Sequence, residues 1–249
     1  YGDLEIGGSF NNQDSICKLW IEYFNVNPKQ IRRLRDDSLI PENVPTKENI
    51  LLGLQWLLED VQAGEWIFCQ FSGHGSQILY RSYSELDGKD EAFCPLDFKT
   101  AGKITDDEMR QHLVRLLPQG AFLFCIADCC NSGTILDLRY QAEVGSSDES
   151  VSFLEQTDNA ASSEKCVLLL SACKDNQFAE EAKCGEKWHG ALSLTLFDVL
   201  RASPGASLHQ VFLRVRALLK ERKFKQLAQL SAEHKLDLNN PLLLGPKLT

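Results

Sequence analysis

The sequence predicts an α/β fold in which helices flank a central, mostly parallel sheet. Three uninterrupted apolar runs, "EWIFCQF", "AFLFCIAD" and "CVLLLSA", read as strands buried on both faces. Amphipathic helical patterns alternate with them, the order expected of a layered α/β sheet. Small-residue turns, "SGHG" and "DCCNSG", follow two of the runs, where such folds place their ligand sites.

The elements follow in chain order. After the polar "NNQD", Ile16, Leu19, Trp20 and Tyr23 recur at helical spacing, and "VNP" at residues 26–28 ends that helix. A second helix starts at Thr46 behind Pro45, carries Ile50, Leu51, Leu54, Leu58 and Val61 on one face, and stops at Gly64. The first strand follows directly. "TDDE" is a capping box, in which Thr105 and Glu108 each satisfy the other's backbone amide, and Pro118 closes the helix it opens. The second strand spans 121–128 and the third 166–172. Between them, 141–164 is rich in Ser, Asp, Glu and Ala, the composition of a mobile surface loop. Helices at 190–201 and 208–224 complete the chain. The 249 residues fit one domain, divided into 1–140, the loop 141–165 and 166–249.

Composition narrows the function. The net charge of −9 disfavours a nucleic-acid surface and suits basic ligands or cations. No apolar run approaches the roughly 18 residues needed to span a membrane. Nine cysteines, without a CxxC pair, read as reduced thiols of an intracellular, cytoplasmic protein. The opening Tyr1 is read as the start of a trimmed chain.

A histidine between two glycines at a strand end is by itself an ordinary turn residue. Its weight comes from Cys130, 56 residues on in "ADCCNSGT", close to the roughly 50-residue separation seen in caspase-type peptidases. Strand alternation sends Asp128 and Cys130 one way and Cys129 the other, which nominates Cys130 as nucleophile. A helix amino terminus or the His74 imidazole would lower its thiol pKa. Asp128, on the same side, would attract a basic side chain, unless it merely caps the following turn.

In order, "FSGHGSQ", "DGKDE", "PLD", "ITDDE", "ADCCNSGTILDL" and "SACKDNQFAEE" resemble the type I metacaspases, cysteine peptidases built as a caspase-like three-layer sandwich. The resemblance implies a dyad of His74 and Cys130, an acidic pocket residue at Asp128 for Arg or Lys, and calcium held by Asp90, Asp106, Asp107 and Asp137. Gly75 and Cys130 are the natural amide donors to an oxyanion. The implied protein is a monomeric, autoprocessing zymogen acting on proteins or peptides, tied to programmed cell death. Lys165, the only basic residue between Arg139 and Lys174, is the candidate autocleavage position. Two departures stand out. Asn131 replaces the family's histidine after the nucleophile, and Asn12 stands where a second acidic pocket residue is usual. The family's first strand is expected upstream of Tyr1. The alternative is a noncatalytic scaffold of the same fold.

Overall fold

The computed structural model describes residues 8–79, 89–145, 150–156 and 165–239. In chain order it contains α1 (Ser9–Phe24), α2 (Lys47–Leu58), β1 (Trp66–Ser72), β2 (Gly75–Leu79), β3 (Lys89–Phe93), α3 (Phe98–Ala101), β4 (Ile104–Thr105) and α4 (Asp106–Met109), which continues as a π-helical turn over Arg110–Val114. There follow β5 (Phe122–Asp128), β6 (Tyr140–Val144), β7 (Val151–Glu155), β8 (Cys166–Ser171), β9 (Glu181–Cys184), β10 (Lys187–Gly190), α5 (Ala191–Ala202), α6 (Leu208–Glu221) and β11 (Gln229–Ala232).

The main sheet runs β1-β5-β8-β11-β6-β7. The three continuously apolar runs form its parallel half, β1 with β5 and β5 with β8. The other half is antiparallel, so the sheet is mixed. Alternation along β5 divides the core. Phe124 and Ile126 pack with α1, α5 and α6, whereas Leu123, Cys125 and Ala127 pack with α2 and the helix after β4. Helix, sheet and helix thus form the three expected layers.

Local chemistry sets the helix ends. Thr105 and Glu108 make the predicted capping box, and Thr46 caps α2. α1 starts earlier than expected and absorbs the "NNQD" segment, because Asn12 turns inward and is buried. α2 ends at Leu58, before Val61 and Gly64.

The 141–164 segment is not a loop throughout, since Tyr140–Val144 and Val151–Glu155 form an antiparallel hairpin on the sheet edge. The hairpin's apolar residues sit on a partly exposed edge strand, so its polar composition resembles a loop's. Residues 146–149 and 157–164 lie outside the described residues. Two small sheets, β2-β3-β4 and β9-β10, were also not anticipated.

Candidate active site

Parallel pairing brings the two candidate catalytic turns together. Ser72 at the end of β1 is in register with Asp128 at the end of β5. His74 and Cys130 each follow two residues later, at the carboxyl edge of adjacent strands. The turns touch: a Cβ added to Gly75 would lie 1.9 Å from the Cys130 carbonyl oxygen. Only glycine fits there. The His74 carbonyl accepts the Cys94 amide at 2.9 Å, tying the histidine turn to the end of β3.

Alternation holds for the cysteine pair. Cys129 is buried in the core facing α2, whereas Cys130 is half-buried. The expected helix amino terminus is absent, because residues 131–139 form bends and turns until β6 begins. Burial pushes the Cys130 thiol up, a backbone hydrogen bond from Ala179 opposes this, and the Asp128 charge adds to the rise.

The turn after the nucleophile is fixed by the loop beyond β8. Asn131 adopts φ 51°, a left-handed conformation that asparagine tolerates well. Its backbone amide donates to the Gln177 carbonyl at 3.2 Å and its side chain donates to the Asp175 carbonyl. The Thr134 amide donates to Asp175 Oδ1 at 2.9 Å.

Asp128 is buried among polar groups from three elements. Its Oδ2 accepts the Ser193 amide at 2.9 Å, in the first turn of α5, and Asn12 Nδ2 at 3.4 Å. Asn12 also donates to Ser72 Oγ at 3.1 Å and accepts the Gly190 amide at 2.7 Å. Asp128 therefore caps α5 rather than its own following turn. Its Oδ1 is buried and has no hydrogen-bond partner among the described residues. Burial drives its carboxyl from 3.8 up to about 6, hydrogen bonding from Ser193 opposes the rise, and the Glu181 charge adds to it.

The four acidic residues read as metal ligands share one region beside the β2-β3-β4 sheet. Asp106 Oδ2 accepts the Glu91 amide at 3.0 Å, and its Oδ1 accepts the Asp107 amide at 2.7 Å. Burial raises the Asp90 carboxyl, and the Asp107 charge raises it further. Burial raises Asp137 as well; Arg110 counteracts this and Asp107 reinforces it. Among the described residues no three acidic, histidine or cysteine side chains are preassembled as a metal shell.

Sequence reasoning missed several contributors. Arg110 makes a two-pronged pair with fully buried Glu233, at 2.9 and 3.1 Å, and donates to the Asp137 carbonyl at 2.6 Å. Ser193, Gly190 and Gln177 contact the site residues through backbone groups, which leave no residue-type signal, and Asp175 through both its carbonyl and its carboxylate. Lys165 lies just before β8, at the end of the sheet opposite Cys130, and donates to the Arg115 carbonyl.

The fold and the paired strand-end turns define a caspase-like α/β protein. Residues 1–139 match the family described as metacaspase, peptidase C14 domain, and the chain belongs to that family. It is 32% identical to Metacaspase-1 of Cryptococcus neoformans var. neoformans serotype D, over 94% of this chain and 60% of the relative. It is 30% identical to Metacaspase-1A of Neurospora crassa, over 95% of this chain and 61% of the relative. The chain thus spans about three-fifths of the length of these two relatives. A crystal structure of a Geobacter sulfurreducens protein, 20% identical, superposes with a TM-score of 0.55 over 79% of this chain and 78% of that one, a likeness of fold. No helix among the described residues is long and apolar enough to cross a membrane.

Proposed function

We propose that this chain is the catalytic domain of a calcium-dependent cysteine endopeptidase that cleaves protein or peptide substrates after Arg or Lys. The observation that carries the specificity is the buried, unpartnered Oδ1 of Asp128 beside a half-buried Cys130. A buried carboxylate with an empty acceptor position is stabilised by a cationic side chain that pairs with it.

In this reading His74 takes the Cys130 proton as the sulfur attacks the scissile carbonyl carbon. Proton removal has to accompany attack, because the resting thiol is held up by burial. The amides of Gly75 and Cys130 hold the oxyanion. His74 then protonates the leaving amine and activates the water that hydrolyses the acyl-enzyme.

For calcium, the oxygen-only donor set of Asp90, Asp107 and Asp137 fits a hard cation. Both Asp90 and Asp137 sense the Asp107 charge, so a cation among them would relieve mutual repulsion. Asp106 would brace the site through its two amide contacts. Calcium, when bound, supplies positive charge that draws the β3 and 131–139 segments together.

Cleavage at Lys165 would occur between molecules, because six residues of β8, roughly 20 Å of strand, separate it from the catalytic edge. The raised Cys130 thiol favours a second reading, a noncatalytic scaffold. Arg-ending and Asp-ending fluorogenic peptides, each tested with calcium and with excess chelator, distinguish the readings. Calcium-dependent hydrolysis of the Arg peptide alone is expected. Hydrolysis of neither peptide supports the scaffold, and hydrolysis of the Asp peptide refutes the pocket.

A further inference from the structure

Glu91, on β3, is a buried carboxylate, 3% exposed, with no part in the chemistry proposed above. It follows Asp90 in the sequence, but strand alternation sends the two side chains to opposite faces. Asp90 senses the Asp107 charge, whereas Glu91 faces the nucleophile turn. Its Oε2 accepts the Thr134 hydroxyl at 2.8 Å, four residues past Cys130. Its Oε1 accepts Gln77 Nε2 at 2.9 Å, two residues past Gly75 on β2. One carboxylate therefore bridges the strand that follows His74 and the turn that follows Cys130.

We propose that, given the dyad of His74 and Cys130 read above, Glu91 is a positioning residue that sets their spacing, holding β2 with one oxygen and Thr134 with the other.

Both ends of the bridge are anchored. On the histidine side, Gln77 pairs with Glu91 across β2 and β3, and its amide oxygen accepts Lys89 Nζ at 3.0 Å. With its oxygen so engaged, the Gln77 amide presents its nitrogen to Glu91. The Glu91 backbone is held too, its amide donating to Asp106 Oδ2 at 3.0 Å. On the cysteine side, the Thr134 amide donates to Asp175 Oδ1 at 2.9 Å, and the Asp175 carbonyl accepts the Asn131 side chain. The turn is thus gripped by the loop beyond β8 on one side and by Glu91 of β3 on the other.

A carboxylate suits this place because it only accepts, so two donors from separate segments can converge on it, and its charge strengthens both bonds. Gly75 lets the two turns touch but has no side chain with which to hold them. The grip on the Thr134 side chain supplies that hold, and its value is kinetic, since a displacement of about 1 Å between reacting groups can cost on the order of 100-fold in rate.

The test begins with Thr134→Val, which keeps the shape of the side chain and removes the donor. With an Arg peptide and calcium, it should lower kcat about 10- to 100-fold with little change in KM. Thr134→Ser restores the hydroxyl and should recover most of that loss. Glu91→Leu should match Thr134→Val, and the double variant should lose no more than either alone, because each removes the same interaction. Additive losses, an effect on KM alone, or full activity in Thr134→Val overturns the proposal. The pH profile of Cys130 alkylation by iodoacetamide, read by peptide mapping, requires no turnover. It should move upward in Thr134→Val, where the imidazole is displaced from the thiol, and return in Thr134→Ser. Asp128, whose charge also acts on that thiol, is unaltered in these variants. A parent that hydrolyses no peptide yet shows this shift would refute the peptidase reading and leave the bridge standing, whereas coincident alkylation profiles overturn the bridge itself.

Discussion

Replacing Asp128 by Asn should flatten the pH dependence of stability. In the parent, burial raises this carboxyl from 3.8 to about 6. A folded-state value above the unfolded one means that stability is fully present below pH ~3.8 and is lost as pH rises through about 6. Each pH unit between the two values is worth about 1.4 kcal/mol, so ionised Asp128 costs the folded state roughly 3 kcal/mol. Asn carries no charge and escapes that cost. Its amide nitrogen, placed where Oδ1 lacks a partner, adds a penalty of about 1–3 kcal/mol that does not change with pH. The informative quantity is therefore the change with pH of the difference between the two proteins. Asp90 and Asp137, also raised, occur in both and cancel.

Urea unfolding from about pH 4 to pH 8 should move that difference by roughly 2–3 kcal/mol in favour of Asp128→Asn. Agmatine, a small guanidinium compound, should stabilise the parent more at about pH 8 than at pH 5, because it pairs with the ionised form. It should leave the variant unaffected. Parallel unfolding curves, or equal stabilisation of the variant by agmatine, would refute the assignment of Asp128 as a strained, cation-seeking carboxylate.

Three further outcomes are expected. Cys130→Ala and His74→Ala should abolish hydrolysis of an Arg peptide while Cys129→Ala keeps most of it, and iodoacetamide should label Cys130 first, because Cys129 is buried and its thiol is pushed well up by burial. Gly75→Ala should lower kcat by at least about 100-fold with little change in KM, since the added Cβ drives the two turns apart at the proposed oxyanion donors; an unchanged kcat excludes that geometry. Glu233→Gln should lose about 3–5 kcal/mol in urea unfolding by leaving Arg110 partly uncompensated, and a loss under 1 kcal/mol would show the pair to be dispensable.

What the sequence made legible follows from where each signal resides. β5 and β8 are covered on both faces, so their buried runs are continuous and unmistakable, and β1 carries a similar apolar run although only Ile67 in it is fully buried. The Thr105 capping box is local, four residues long, and survives intact. The β6–β7 hairpin failed because Ser152, Leu154 and Glu155 are exposed and the strand composition matches that of a loop. Asp128 was readable as an acidic residue on the nucleophile's side, but its partners come from α1 and α5, 116 and 65 residues away along the chain. Glu233 was invisible for the same reason: a lone glutamate near the carboxyl end gives no sign of an arginine 123 residues upstream.

The two departures from the family pattern now have different physical meanings. Asn131 takes a left-handed backbone conformation and secures the turn through the carbonyls of Asp175 and Gln177, so its role is conformational. A turn held this way leaves the thiol position to Cys130 alone, which weakens the argument for a decayed catalytic site. Asn12 acts electrostatically. Its Nδ2 faces Asp128 Oδ2 while its Oδ1 accepts the Gly190 amide, so it supplies a donor to the carboxylate without adding charge. An aspartate in its place would set a second negative charge beside a carboxyl that burial already resists ionising, and would raise that carboxyl further. Under the proposed specificity, Asn12 would exchange attraction for a cationic side chain against easier ionisation of Asp128, leaving one buried carboxylate to distinguish basic from neutral side chains.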